Sequence, residues 1–144
     1  MPIKTFRGLL ADNTQETIHL HTNDGSTGYR VVKFQIINNT PGVAAVKGVV
    51  KIYKITQATP DAVIDFSDNT MLGAAFYEDN DSVTYVHGKT IIFDNEIFNQ
   101  DIYITYADVQ GSEPMNYYIE LEQVKLDLNE NTVATLKDIR NIKT

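Results

Sequence analysis

Two histidines separated by one residue are the first candidates for chemistry in this chain. His19 and His21 flank Leu20 in an alternating segment, so both imidazoles should leave the same face of a strand. Such a pair could hold a zinc or copper ion if a neighbouring strand supplied a third ligand. The reading we favour is two exposed imidazoles on a polar strand face, and we therefore expect no metal here.

Two groups of acidic residues lie in segments expected to be loops or turns. They are Glu78, Asp79 and Asp81, and Asp94, Glu96 and Asp101. Calcium binds clustered oxygen ligands on loops, but neither group has the Asp/Asn, Gly and Glu order of an EF-hand loop. The expectation is that both groups are simply solvated.

Paired carboxylates for acid–base catalysis are represented by Glu120 and Glu122, which should share one strand face. The chain has no tryptophan, so it lacks the aromatic platform that usually accompanies a glycosidase site. A charged, solvent-facing strand that resists aggregation is the simpler interpretation. There is also no Gly-x-Ser-x-Gly motif and no glycine-rich phosphate loop. We therefore predict no catalytic residue, no cofactor and no small-molecule substrate.

Composition narrows the classes of protein to which this chain could belong. The 144 residues suffice for one domain with a sizeable core, and 42% of them are hydrophobic. A net charge of -7 argues against nucleic-acid binding, which needs a basic footprint. The absence of cysteine excludes disulfides and cysteine-based sites. No apolar run is long enough to span a bilayer, and the first ten residues are too polar for a signal peptide.

The elements that would position any site are strands. Residues 115–128 (MNYYIELEQVKLDL) alternate over a long run, with Tyr117, Ile119 and Leu121 on one side. Two shorter alternating runs precede it, at residues 90–94 and 101–106. We expect these three segments to form an antiparallel meander.

The rest of the chain follows the same pattern. Further strands are expected at residues 3–10, 16–21, 30–38, 48–56, 62–66, 71–76 and 83–86, with a turn at 11–14. In the third of these, Val32, Phe34 and Ile36 should share one face. A period of three near the end predicts a short helix at residues 130–140, with an extended tail as the alternative. The fold class is thus a single all-β domain, a β-sandwich of jelly-roll type spanning residues 1–144, with a short C-terminal helix.

Several side chains are candidates for contacts with other subunits. Tyr53 and Lys51 lie on a strand with no purely apolar face, and Ile97 and Phe98 lie in an expected loop. For the loop pair we favour tucking over the edge of the sandwich. The last candidates are Val133, Leu136 and Ile139. Residues 1–6 and 129–144 could be arms that reach a neighbour, although packing of the C-terminal segment on its own domain is slightly favoured.

Three parts of the chain together suggest a family. They are residues 3–12 (IKTFRGLLAD) with 27–34 (TGYRVVKF), residues 92–105 (IFDNEIFNQDIYIT), and residues 116–140 (NYYIELEQVKLDLNENTVATLKDIR). This combination resembles small virion structural proteins of tailed bacteriophages, especially those of marine bacteria. The likeness covers nearly the whole chain, and the third part is its most specific portion.

The resemblance implies a structural subunit without catalytic function. The expected role is a decoration or cement protein on the capsid exterior, made in the host cytoplasm and then located in the virion. Its partners would be the major capsid protein and further copies of itself, in a homo-oligomer. A neck or tail subunit is the first alternative. A carbohydrate-binding β-sandwich is the second, although Tyr117 and Tyr118 alternate faces and form no aromatic row.

Overall fold

The structure, a computed structural model, describes residues 2–22, 25–41, 45–79, 89–127 and Thr135, and this part of the chain is nearly all β. Its strands are β1 (Ile3–Leu10), β2 (Thr14–Ile18), β3 (Thr27–Asn38), β4 (Val46–Tyr53), β5 (Met71–Asp79), β6 (Lys89–Phe93), β7 (Ile102–Asp108) and β8 (Met115–Lys125). They form two antiparallel sheets with one apolar core, which confirms the predicted all-β sandwich.

The smaller sheet has the order β1-β8-β3, and the larger sheet has the order β2-β7-β4-β5-β6. We call them sheet A and sheet B. In sheet A, β8 lies in the centre; it pairs with β3 along its whole length and with β1 from residue 115 to residue 122. The long alternating run is therefore a central strand, as its length and regularity suggest.

The prediction that residues 90–94, 101–106 and 115–128 form an antiparallel meander is wrong. In sheet B, β6 pairs with β5 at one edge, whereas β7 lies between β2 and β4; β8 belongs to sheet A. Phe98, in the β6–β7 connection, exchanges two backbone hydrogen bonds with Tyr29 of β3. The connection is thus tied to sheet A, so β6 and β7 do not form a hairpin. Alternation reports which face of a strand is buried and carries no information on its partner.

The core lies where the inward faces of the two sheets meet. From β8, Tyr117, Ile119 and Leu121 are all buried, as their spacing predicts. They belong to the same cluster as Ile52 of β4 and Ile104 of β7. Each such side chain contributes about 1.5–3 kcal/mol by leaving water, so this face of β8 is a principal source of stability.

Two buried tyrosines keep their hydroxyl groups hydrogen-bonded. The Tyr106 hydroxyl donates to the carbonyl of Glu113 at 2.6 Å, and the Tyr117 hydroxyl donates to the Glu16 carboxylate at 2.9 Å. Burial raises the pKa of both phenols well above the ordinary value. Both phenols therefore stay neutral, and each donates a hydrogen bond from the core to a group at the edge of the sandwich.

A β-bulge changes one predicted face. The register of β3 against β8 shifts between Val31 and Lys33, so two residues occupy the space of one. Val31 is consequently buried and Val32 is exposed, while Phe34 and Ile36 point inward as expected. The prediction for Val32 was wrong because a strict period of two cannot anticipate an inserted residue.

Other boundaries also differ from expectation. Strand β2 ends at Ile18, before the two histidines, and residues 62–66 are irregular rather than an edge strand. The strand expected at 83–86 lies outside the described residues. So does the helix expected at 130–140, apart from Thr135, which is helical. Within the described part, no helix has the length and apolarity needed to cross a bilayer.

Gly48 provides a test of the core packing. A Cβ there would lie 2.7 Å from the Tyr106 ring and 2.8 Å from the Met115 methyl. The Tyr106 ring cannot move away easily because its hydroxyl is bound to Glu113. We expect Gly48→Ala to lower the free energy of unfolding by about 1–3 kcal/mol. Gly111→Ala is the control, since its added methyl would meet only one atom, at 3.8 Å. Equal urea denaturation midpoints for the two variants would contradict this packing.

Candidate functional site

An irregular segment, residues 54–70, covers the outer face of sheet B, and we call it the strap. Outward-facing side chains of the central strands, such as Lys51 and Thr105, are buried although they point away from the core. Gln57 in the strap donates its backbone N–H to the side chain of Gln15 on β2 at 2.7 Å. Ordered connections of this length without regular structure are uncommon in compact domains and often serve binding.

A buried lysine holds the middle of the strap. The Lys51 ammonium, with a side chain only 3% exposed, donates to the Asp61 carboxylate at 2.7 Å and to the Val63 carbonyl at 2.5 Å. Burial alone would lower the pKa of Lys51, but the hydrogen bond with Asp61 and the contact with Tyr53 raise it overall. The same hydrogen bond lowers the pKa of Asp61. The pair is therefore charged and fixes the strap to β4.

A second buried lysine fastens the ends of the strap. The Lys54 ammonium donates to Glu96 at 2.6 Å, and its backbone N–H donates to the carbonyl of Thr70 at 2.7 Å. Between these anchors, the carboxylates of Asp65 and Asp68 accept hydrogen bonds from the residues two positions later. These local turns are typical of Asp and give the strap a defined shape.

The strap carries apolar side chains that point into solvent. Val63 is 66% exposed and Phe66 is 64% exposed, with Ile64 also exposed between them. Phe66 lines a cavity of about 590 Å³ together with Ile92 and Phe93 of the edge strand β6, which are exposed as well. We call these five side chains the strap–edge surface. Singly exposed apolar residues are ordinary, whereas several that lie close together in the chain on a pinned segment are candidates for an interaction surface.

The rim of the cavity is acidic. Asp68, Asp94 and Glu96 line it together with the apolar side chains, and the charge of Glu96 is matched by Lys54. No group of three or more His, Cys, Asp and Glu residues in the described ranges is arranged to hold a metal ion. The arrangement is suited to binding an apolar side chain flanked by basic groups.

The two histidines converge on one carboxylate. The Nδ1 atom of His21 lies 2.7 Å from Asp101, and that of His19 lies 3.4 Å from it. The backbone N–H groups of Leu20 and His21 also donate to Asp101. Burial would raise the pKa of Asp101, but the hydrogen bonds from His21 and Leu20 lower it to about 2. This carboxylate fixes the chain after β2, a role that spacing alone could not reveal.

The outer face of sheet A is mixed, with Leu9 and Ile37 exposed on either side of Asn116. Tyr118 lies opposite Arg7 on β1 and Gln35 on β3, and its hydroxyl donates to Glu120 at 2.7 Å. The Lys33 ammonium lies 5.7 Å from the centre of the Tyr118 ring. Neither register neighbour is aromatic, so this face offers a single ring rather than a row.

The contact residues proposed from the sequence are distributed differently. Tyr53 and Lys51 are buried beneath the strap of the same chain, so neither lies at the surface. Phe98 is fully buried beside Tyr29 and Ile97 packs near Gly28, which agrees with tucking into the sandwich. Val133, Leu136 and Ile139, and most of the C-terminal segment, lie outside the described residues. The strap–edge surface was missed, although the Val63, Ile64 and Phe66 cluster was its sequence signal.

Comparisons with known proteins give no family. No protein-family model matches the chain, and no curated protein matches it. Among solved structures, a protein of Bacillus endospore appendages, described as disulfide-linked pili, is 10% identical with a TM-score of 0.33, covering 87% of this chain and 89% of that one. VP2 of infectious bursal disease virus, from a subviral particle, is 10% identical with a TM-score of 0.14, covering 87% and 37%. Neither likeness carries an argument.

The Lys51–Asp61 pair should stabilise the strap measurably. Asp61→Ala leaves the buried ammonium without its carboxylate, and we expect a loss of about 1–3 kcal/mol in unfolding free energy. Lys51→Met replaces the charge by an apolar chain of similar length and should cost less. Urea denaturation ranks the two variants, and amide exchange should quicken in residues 57–66. A greater loss in Lys51→Met would show that the pair does not fix the strap.

Asp101 should make stability depend on pH in the acid range. Because its folded pKa is about 2, against an ordinary 3.8, its contribution is present above about pH 4 and is lost as pH falls towards 2. We expect Asp101→Asn to flatten this part of the stability profile, measured by urea denaturation at each pH. His21→Gln keeps the backbone donor and should have an intermediate effect. An unchanged profile in Asp101→Asn would refute this role.

Proposed function

We propose that this protein is a structural subunit of a bacteriophage virion that binds the outside of the capsid as a decoration or cement protein. The observation that carries the proposal is the strap–edge surface, where Val63, Ile64 and Phe66 are held out from the sandwich on a pinned segment. The sequence resemblance to small virion structural proteins supplies the context. The function is adhesion to neighbouring shell subunits.

Rigidity favours this use of the strap. A binding segment that is already ordered loses little conformational entropy on association, so more of its contact energy remains as affinity. The anchors at Lys51 and Lys54 provide that order. A large exposed aromatic such as Phe66 is the kind of side chain that dominates binding energy when it enters a partner's pocket.

The charge of the surface suggests the chemistry of the shell site. The acidic rim formed by Asp68 and Asp94 would pair with Lys or Arg around an apolar pocket on the capsid subunit. Complementary charge speeds docking and selects the partner, while the apolar contacts supply most of the affinity. The bound subunit would then bridge neighbouring capsid proteins and oppose their separation under internal DNA pressure.

A neck or tail subunit is the alternative that uses the same surface. Copy number per virion separates the two, because a shell carries many copies and a ring carries few. Carbohydrate binding has weaker support, since the outer face of sheet A offers Tyr118 without a second ring beside it. A glycan-binding screen of the purified protein would detect that activity.

Matched valines test the adhesive role of the strap. Val63 and Val109 are 66% and 62% exposed, but only Val63 belongs to the strap–edge surface. We expect Val63→Asp to weaken binding to particles lacking the protein by at least about tenfold, because a carboxylate would have to be desolvated in the contact. Val109→Asp should bind as the wild type does.

The same particles allow a functional readout. Added wild-type protein should raise the temperature at which particles release DNA, and Val63→Asp should not. Equal heat resistance with and without the protein would refute cementing. Equal binding by the two aspartate variants would place the contact elsewhere on the molecule.

A further inference from the structure

The outer edge of strand β6 is almost uncharged. Strand β6 is the last in sheet B, and four uncharged residues, 90–93, follow Lys89. Ile92 is 50% exposed and Phe93 is also exposed. Within the described residues, no other segment forms backbone hydrogen bonds with this edge. Soluble proteins usually protect such an edge with charge, proline or a bulge, because it is a template for another strand.

The direction of the free backbone groups follows from one hydrogen bond. Asp94 donates its N–H to the carbonyl of Leu72, in the ladder that pairs Gly73 with Phe93. Alternate residues of an antiparallel strand direct N–H and C=O to opposite sides. Thr90 and Ile92 therefore face β5, whereas Lys89, Ile91 and Phe93 present their backbone groups outward.

We propose that β6 pairs antiparallel with β6 of a second copy of this chain, around a two-fold axis at Ile91. Lys89 would then lie opposite Phe93 of the second copy, and Ile91 would lie opposite Ile91 of the second copy. This register uses the outward groups of all three residues on both strands. It joins the two copies of sheet B into one continuous sheet.

The charges at the two ends of β6 select a second copy as the occupant. Lys89 begins the strand, and Asp94 follows its last residue. In an antiparallel pair, the basic end of each strand lies beside the acidic end of the other, so the edge is complementary to itself. A two-fold contact requires such self-complementarity. A parallel arrangement would place like charges together.

Side chains on both faces agree with this pairing. Ile92 points outward, on the same face as Ala74, and would lie opposite Thr90 of the second copy. Ile91 points inward and already packs on the core. Pairing would remove the exposed apolar side chains of β6 from water on either side of the new ladder. The inference concerns the free protein and does not depend on the virion assignment.

The oligomeric state of the purified protein tests the proposal. Analytical ultracentrifugation over a concentration series should show a dimer for the wild type. Ile92→Lys places a charge in the contact and should give a monomer, while Ile37→Lys should remain dimeric. Ile37 is a matched control because it is 51% exposed, against 50% for Ile92, and lies on β3 in the other sheet. Circular dichroism confirms that each variant keeps its β-structure.

Two single-cysteine variants test the register of the pairing. The chain has no cysteine, so a single introduced thiol is unique. Copies of Ile91→Cys would have Cα atoms about 5.5 Å apart, within reach of a disulfide. Copies of Phe93→Cys would be offset by roughly 13 Å along the strands, beyond that reach.

Mild oxidation should therefore cross-link Ile91→Cys and leave Phe93→Cys unlinked. A wild type that stays monomeric at every concentration would overturn the proposal. So would a dimer that persists in Ile92→Lys, or cross-linking of Phe93→Cys as complete as that of Ile91→Cys.

Discussion

The structure depends on the burial of one face of β8. Tyr117, Ile119 and Leu121 enter the core, and the backbone on both sides of β8 is satisfied by β1 and β3. A central strand with one apolar face requires a second layer, since water would otherwise cover that face. Sheet B supplies the layer. The outer face of sheet B would otherwise be exposed to water, and the strap covers it.

The strap links the stability of the fold to the apolar surface that we propose for binding. Burying Lys51 and Lys54 is unfavourable unless each ammonium has an anionic partner, and Asp61 and Glu96 are those partners. The two ion pairs hold the strap in a single path over sheet B. Because the strap is thereby fixed, it can hold Phe66 in solvent rather than folding it inward. The apolar surface is thus a consequence of how the sheet is covered.

Sequence periodicity identified the strands whose neighbours are regular. Strand β1 was placed at its observed bounds, and β8 was placed with its buried face. The bulge at Val32 was not predicted because nothing in the local sequence distinguishes an inserted residue within a run of apolar residues. The strap was not predicted for a different reason. The alternation of residues 62–66 predicts an edge strand. In the structure the ion pair between Lys51 and Asp61 holds the neighbouring chain in an irregular path, and these two residues are ten apart in the sequence.

The sequence carried the least information on which strands pair with each other. Pairing of β7 with β2 and β4 depends on contacts far apart in the chain. The convergence of His19 and His21 on Asp101 is likewise a long-range contact, which the histidine spacing anticipated only in part. Local patterns describe burial, and the arrangement of sheets decides which polar groups meet.

The central claim is that the strap–edge surface is the part of this molecule that other subunits cover. Amide hydrogen exchange, compared between the free protein and the protein bound to phage particles, addresses it directly. We expect added protection in residues 61–66, with little change in β1 and β8. Protection confined to the outer face of sheet A, with the strap exchanging as in the free protein, would contradict it.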